Sequence, residues 1–343
     1  IEHGVFPDVA ASAFEQIAGF ADYGFCQSHA GSLARLAYET MYIKLHHPAA
    51  FTASLLSNQP MGFYPVEVLV WEARRRGVRF LPVDINRSEA RCTLEDARVR
   101  LGLEQVRAVG PERAEEIVSE RRAHGPYRSL RDFVGRTGFV GKLAEGLILA
   151  GAFDHEHRAH PELLWELYRQ RPDRRQRDLG LVEPETAITW PERTEAEQTA
   201  LDYLILGFSL ERHLIEHYRS RLAALGVVPS TRLPKLRDGQ VTRIGGMVIC
   251  RQKPPTAKGY LFLTLEDEHG LMNVIVRPDV YEKYRDILRQ NPLLAIAGRL
   301  QHAYGTLNIL AERVLGLDLS VPDAPPQAEP RPLAAAARSH DFR

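Results

Sequence analysis

Five apolar or alternating runs between residues 241 and 314 restrict the fold of this chain more than any other feature. They are Val241–Arg251, Tyr260–Glu266, Leu271–Val276, Leu293–His302 and Thr306–Val314, all of strand character. Asp267-Glu268-His269-Gly270 supplies a tight turn between the second and third. Pro278–Leu288 has helical character and falls between the third and fourth. Five strands with a helix at that point predict a five-stranded OB barrel over residues 236–320.

A chain of 343 residues has room for two or three domains. Helical spacing governs residues 1–95. Val9–Phe20, His29–His46, Phe51–Leu56 and Val66–Arg76 are predicted helices, with Pro48 ending the second and Gly77 capping the fourth. In the second, Leu33, Leu36, Ala37, Thr40 and Met41 form one apolar stripe. Val78–Asp84 reads as a strand and Cys92–Leu103 as an extended stretch. Residues 96–175 are predicted to hold tandem helix-hairpin-helix units. The first is Glu104–Arg107, the hairpin Ala108-Val109-Gly110 and the helix Glu112–Arg122; the second centres on Leu149-Ala150-Gly151-Ala152. Residues 176–235 read as a polar linker and a helix pair, Thr194–Leu206 and Leu210–Leu225. The Pro- and Ala-rich stretch 321–343 is expected to be disordered. The fold class is therefore multidomain α+β: an α-helical segment, tandem helix-hairpin-helix, and a C-terminal five-stranded barrel.

Lys plus Arg and Asp plus Glu both number 44, so the formal net charge is zero. Nucleic-acid contact then has to come from local patches, not from a uniformly basic surface. Cys26, Cys92 and Cys250 show neither metal-ligand spacing nor a disulfide framework, which fits a reducing compartment. No apolar run approaches the roughly 20 residues that span a bilayer, and no membrane association is expected. His46-His47 has no carboxylates at ligand spacing. Walker, Rossmann and Gly-x-Ser-x-Gly motifs do not occur.

OB barrels hold single strands with a basic groove and aromatic platforms. Arg251, Lys253 and Lys258 surround the first long loop of this one, and Tyr260 and Phe262 alternate along its second strand. Their period of two puts both aromatics on one face, which is either a binding platform or the core. Arg277 and Tyr304 are further candidates. In the first hairpin Val109, Gly110 and Arg113 are placed to meet duplex phosphates through backbone N–H groups and a helix N-terminus. Ala108 stands where such hairpins usually carry Gly, which limits close backbone approach. Ser28 and His29 open the second helix as a candidate anion site for a nucleotide triphosphate, or as a plain N-cap and first-turn residue. Gln198-Thr199-Ala200-Leu201-Asp202-Tyr203 has the spacing of a weak clamp-binding peptide, but amphipathic helix is the preferred reading of these residues.

Several longer motifs resemble the rear half of bacterial C-family DNA polymerases, the group typified by the replicase alpha subunit. Phe20-Ala21-Asp22-Tyr23-Gly24-Phe25 with Ser28-His29-Ala30, and Leu36-Ala37-Tyr38 with Lys44-Leu45-His46-His47-Pro48-Ala49-Ala50-Phe51, are similar to that family's fingers. Leu56-Ser57-Asn58-Gln59-Pro60-Met61-Gly62-Phe63-Tyr64, Pro82-Val83-Asp84-Ile85-Asn86 and the ending Ser339-His340-Asp341-Phe342-Arg343 resemble its error-prone, damage-tolerance branch. Gln27 stands where replicative members usually carry Lys. The resemblance implies that residues 1–95 are the C-terminal part of the fingers and that Ile1 is a cut end. It implies translesion DNA synthesis in the bacterial cytoplasm on a DNA template-primer, with Mg²⁺ held by palm aspartates upstream of residue 1. This chain alone would then be inactive. It further implies an inactive Y-family polymerase-like partner that supplies the clamp contact. Two other readings stand beside it: a non-catalytic DNA-binding or partner-docking module, and an anticodon reader of a tRNA synthetase, for which catalytic motifs are missing.

Overall fold

The computed structural model describes residues 6–21, 27–62, 64–169, 193–303, 305–317 and 340–342. The polar stretch 170–192 and Tyr304 lie outside these residues, as do 318–339.

The first helices are α1 (Pro7–Ala21), α2 (Gln27–His46), α3 (Pro48–Ser57) and α4 (Val66–Arg75). Pro48 separates α2 from α3 and occupies the first turn of α3, where a missing N–H costs nothing. Three short strands follow: β1 (Phe80–Leu81), β2 (Thr93–Glu95) and β3 (Arg98–Arg100), in the order β1-β3-β2. The predicted strand 78–84 shrinks to two residues, because Pro82 brings no N–H to a ladder. The extended stretch 92–103 instead makes a hairpin, turning at Asp96 and Ala97, both at positive φ.

Next come α5 (Gly110–His124), α6 (Leu130–Thr137), α7 (Lys142–Leu149) and α8 (His160–Arg169). The expected leading helix 104–107 is a single 3-10 turn, Leu103–Gln105. The second hairpin is not at 149–152. It is the turn Gly138-Phe139-Val140-Gly141 between α6 and α7. Residues 149–152 form the ending of α7, where the Ala152 N–H closes on Leu147 O. Val106, Ala114, Ile117, Phe133, Leu147 and Phe153 bury the common core of these helices, which continues into α3 and α4 through Leu56 and Val70.

Thr194 and Glu197 form a capping box that starts α9 (Glu195–Ile205). The expected helix 210–225 is broken. A 3-10 turn, Leu214–Tyr218, precedes a short α10 (Arg219–Ala224). The break follows from His213, whose Nδ1 accepts the Ile215 N–H at 3.2 Å while Leu214, Ile215 and Tyr218 are buried together.

The barrel is the predicted one. Its strands are β4 (Val241–Gln252), β5 (Leu261–Asp267), β6 (Gly270–Val276), β7 (Leu293–Ala303) and β8 (Thr306–Gly316). They run β5-β6-β8-β7-β4, and β4 closes on β5. The helix between the third and fourth strands is two pieces, α11 (Pro278–Lys283) and α12 (Arg285–Gln290). Gly298 lets β7 and β8 meet: a Cβ there would lie 2.2 Å from Leu310 O. Val248, Leu263, Leu265, Val274, Ile296 and Ile309 fill the interior. A separate core of Val68, Tyr203, Tyr218, Met247, Ile249 and Leu293 fastens the barrel to α4 and α9. One part of the stretch expected to be disordered is ordered. Backbone 340–342 forms β9 (His340–Phe342), parallel to Cys250–Gln252 of β4. The β4–β7 register ends at Met247, and β9 pairs along β4 beyond it, which composition alone does not reveal.

Candidate nucleic-acid interface

The two hairpins converge. Gly110 (φ +70°) and Gly141 (φ +65°) take backbone angles that L side chains avoid, and each turns the chain into a helix N-terminus, of α5 and α7. The Arg113 guanidinium stands 5.1 Å over the Phe139 ring, joining the first turn of α5 to the second hairpin. Arg113 also pairs with Glu116 at 2.8 Å and remains exposed. Two helix N-termini with an adjacent cation suit an anion such as phosphate. Val109 does not contribute as expected. Its side chain is buried and its N–H donates to Val106 O at 2.9 Å. The Cβ of Ala108 has a physical reason to be tolerated: α7 presents Gly146 there, and a Cβ at 146 would come within 3.3 Å of it. Phe139 and Lys142 belong to this surface and were missed, although a Gly at each end of a four-residue turn was a readable signal.

The barrel resolves the ambiguity of Tyr260 and Phe262. Leu261, Leu263 and Leu265 point inward, and Phe262 points outward with 37% of its surface exposed. Across the sheet Phe262 sits between Gln252 of β4 and Ile275 of β6. The next outward row is Cys250, Thr264, Asn273 and Asn308. An aromatic beside a row of amides and hydroxyls is a surface suited to bases and phosphate. Tyr260 is half-buried, and its N–H donates to Ala257 O. Lys258 is exposed, with left-handed backbone. Lys253 Nζ lies 3.9 Å from the Tyr281 ring centroid. Arg277 caps α11, pairs with Asp279 at 3.2 Å and is exposed. Because Leu261 pairs with Val276, Tyr260 and Arg277 are neighbours, so Lys258, Tyr260, Phe262 and Arg277 share one end of the β5–β6 face.

Arg251 is not on that face. It is buried, donating Nε–H to Leu288 O at 2.7 Å and an Nη2–H to Asn291 O at 2.6 Å. It ties β4 to the carbonyls ending α12, a cation at a helix C-terminus.

Ser28 and His29 are exposed in the first turn of α2, far in sequence from both surfaces. The α2 stripe expected to pack is exposed at Leu33, Leu36 and Met41, and so are Tyr38, Tyr42 and Leu45. In α9, Gln198 donates to Asp202 and Tyr203 is buried, so the amphipathic-helix reading of that motif holds.

One three-donor group occurs among the described residues, in the seam between α4 and the barrel. Ligand atoms of Glu67, His213 and Glu266 lie within 4.8 Å of one another. Burial pushes the Glu67 carboxyl well up, and Tyr203 donates its hydroxyl to it. Burial raises Glu266 to about 7, although both Nη groups of Arg75 reach it at 3.1 Å. Burial lowers His213 to about 3. These residues do not fit Mg²⁺. The Nδ1 of His213 already accepts an N–H, so neutral imidazole carries its proton on Nε2, and Arg75 supplies the counter-charge to Glu266. No metal-dependent step is assigned to this seam.

Comparison with known proteins agrees with the two domain types. A helix-hairpin-helix motif model matches residues 77–162, and an OB-fold nucleic acid binding domain model matches residues 239–315. The chain is 39% identical over 99% of its length to a protein from Mycolicibacterium paratuberculosis named error-prone DNA polymerase, covering 30% of that protein. Proteins of the same name share 38% identity over 99% of the chain in Nocardia farcinica and 35% over 92% in Symbiobacterium thermophilum, with 29% and 34% of those proteins covered. The chain is thus homologous, over nearly its whole length, to about a third of these longer proteins. Among the described residues no helix is long and apolar enough to cross a membrane.

Proposed function

We propose that this homologue of error-prone DNA polymerases is the DNA-handling portion of such an enzyme, acting in translesion synthesis in the bacterial cytoplasm. The observation that carries the reading is the pairing of that homology with the exposed Phe262–Lys258–Arg277 face of the barrel. The barrel takes the single-stranded template. The paired hairpins take duplex phosphates through the N-termini of α5 and α7, without reading sequence. Nucleotidyl transfer belongs to the longer protein, whose carboxylates hold Mg²⁺ outside this chain. The exposed apolar side of α2 supports a covering domain there, which would set Ser28 and His29 against the incoming nucleotide. Partner contact with an inactive Y-family-like polymerase, and through it with the clamp, completes the assembly.

Two measurements test this. Primer extension with Mg²⁺ is expected to give no incorporation by this chain alone, and incorporation once the remaining portion is joined to it. Extension by the chain alone, or none by the longer polypeptide, overturns the assignment.

A further inference from the structure

The barrel wall holds a second surface, at the end of the β7–β8 ladder opposite the hairpin tip. There β4, β7 and β8 enclose a cavity of about 290 Å³. Ala295 and Ala297 form its floor, and Leu225 and Leu315, 46% and 54% exposed, form its walls. The register places Arg243, Ala297 and Arg313 side by side on the three strands. With strands about 4.8 Å apart, the two arginine stems rise roughly 10 Å from each other across an alanine. Among the described residues, no Asp or Glu lines the cavity. Glu312, the acid beside Arg313, is bound to Arg299 at 2.9 Å. Arg243 donates to Leu225 O at 2.7 Å, which fixes one side of the rim.

An apolar slot between two cations selects a ligand with the complementary order: anionic, apolar, anionic. We propose that this notch docks an acidic segment of a partner protein that carries one large apolar anchor. The anchor lies between Leu225 and Leu315, and its flanking carboxylates meet Arg243 and Arg313. The volume suits an anchor side chain, being at the small end of the ~300–1,000 Å³ of ligand clefts. A nucleic acid is the poorer fit, because the floor is aliphatic and the aromatic at its edge, Tyr284, is half-buried, leaving little platform for a base.

The test uses the full chain and a fluorescein-labelled synthetic peptide of Asp and Glu residues around one central Phe. Saturable binding with a Kd on the order of micromolar is expected by anisotropy. Arg313→Glu, at an exposed site, and Ala297→Leu, which fills the floor, should each weaken it about tenfold or more. Both should leave the affinity for oligothymidylate unchanged. A peptide with Ser in place of Phe should bind at least tenfold more weakly. The proposal is overturned if no saturation occurs below millimolar peptide, or if the Ser peptide binds equally well. It is also overturned if Arg313→Glu spares the peptide, or if that variant weakens oligothymidylate instead, which would make the notch a nucleic-acid surface. Should Ala297→Leu lower the melting temperature, Arg313→Glu alone decides.

Discussion

Replacing Arg251 by Met separates two accounts of the same residue. By sequence it is a loop-flanking cation and a DNA contact. In the structure its guanidinium is buried and donates to Leu288 O and Asn291 O at 2.7 and 2.6 Å. Arg251→Met keeps the apolar stem and removes the charge. Each charge-assisted hydrogen bond is worth about 1.5–3 kcal/mol, so losing the two should cost about 3–6 kcal/mol. At about 4–8 °C per kcal/mol for a unit the size of the barrel, its melting transition should fall by at least about 12 °C. Urea and thermal melts of the wild-type and variant chains, compared directly, measure the change. Oligothymidylate affinity, measured well below the transition, should be unchanged. A variant of normal stability that binds DNA weakly would refute the reasoning and return Arg251 to the surface.

Other substitutions probe neighbouring parts of the account. Phe262→Ala should weaken oligothymidylate binding by about 1–3 kcal/mol with little change in melting temperature, since the ring is outward; unchanged affinity by anisotropy would remove it from the interface. Gly298→Ala should cost about 3 kcal/mol in urea denaturation, because its Cβ would meet backbone at 2.2 Å and neither strand can yield; a neutral effect would contradict the close approach. The seam predicts a pH dependence. Glu266 is raised from 4.5 to about 7 in the fold, so its contribution is full below about pH 4.5 and lost as pH rises through about 7; Glu67 acts in the same direction. His213, lowered from 6.5 to about 3, contributes above about pH 6.5 and loses that as pH falls. From about pH 6.5 upward only the carboxyl losses remain, so melting temperature should decline there, and Glu266→Gln should flatten the decline; an equal slope in both proteins would contradict it.

The barrel was legible because strand period and turn chemistry act locally. Leu261, Leu263 and Leu265 alternate with outward residues, and the turn at 267–270 joins two strands within a few residues. Non-local partners were not legible. Arg251 finds its acceptors 37 and 40 residues away, and no local pattern distinguishes it from Lys258. The predicted helix 210–225 has helical spacing, yet the cap by His213 and the burial of Leu214 and Tyr218 against the barrel favour a tighter turn. The stripe on α2 was correctly seen as apolar, but periodicity says only that a face exists, not what lies against it. The second hairpin was misplaced because Gly151 looked like a turn residue, whereas the Gly138 and Gly141 pair marks the entry to α7. At the candidate interface, residue types were readable and facing was not: Phe262 faces out while Arg251 and the Val109 side chain are buried, and burial decides which can touch DNA.

The central claim is that the outward β5–β6 face of the barrel grips single-stranded DNA. Anisotropy of fluorescein-labelled oligothymidylate, titrated with this chain and with Lys258→Ala over a series of salt concentrations, tests it most directly. The account predicts saturable binding at low salt, a linear fall of log K with log salt, and a slope shallower by about 0.7 in the variant for one lost phosphate contact. Absence of binding at low salt, indifference to salt, or identical curves for the two proteins would contradict it.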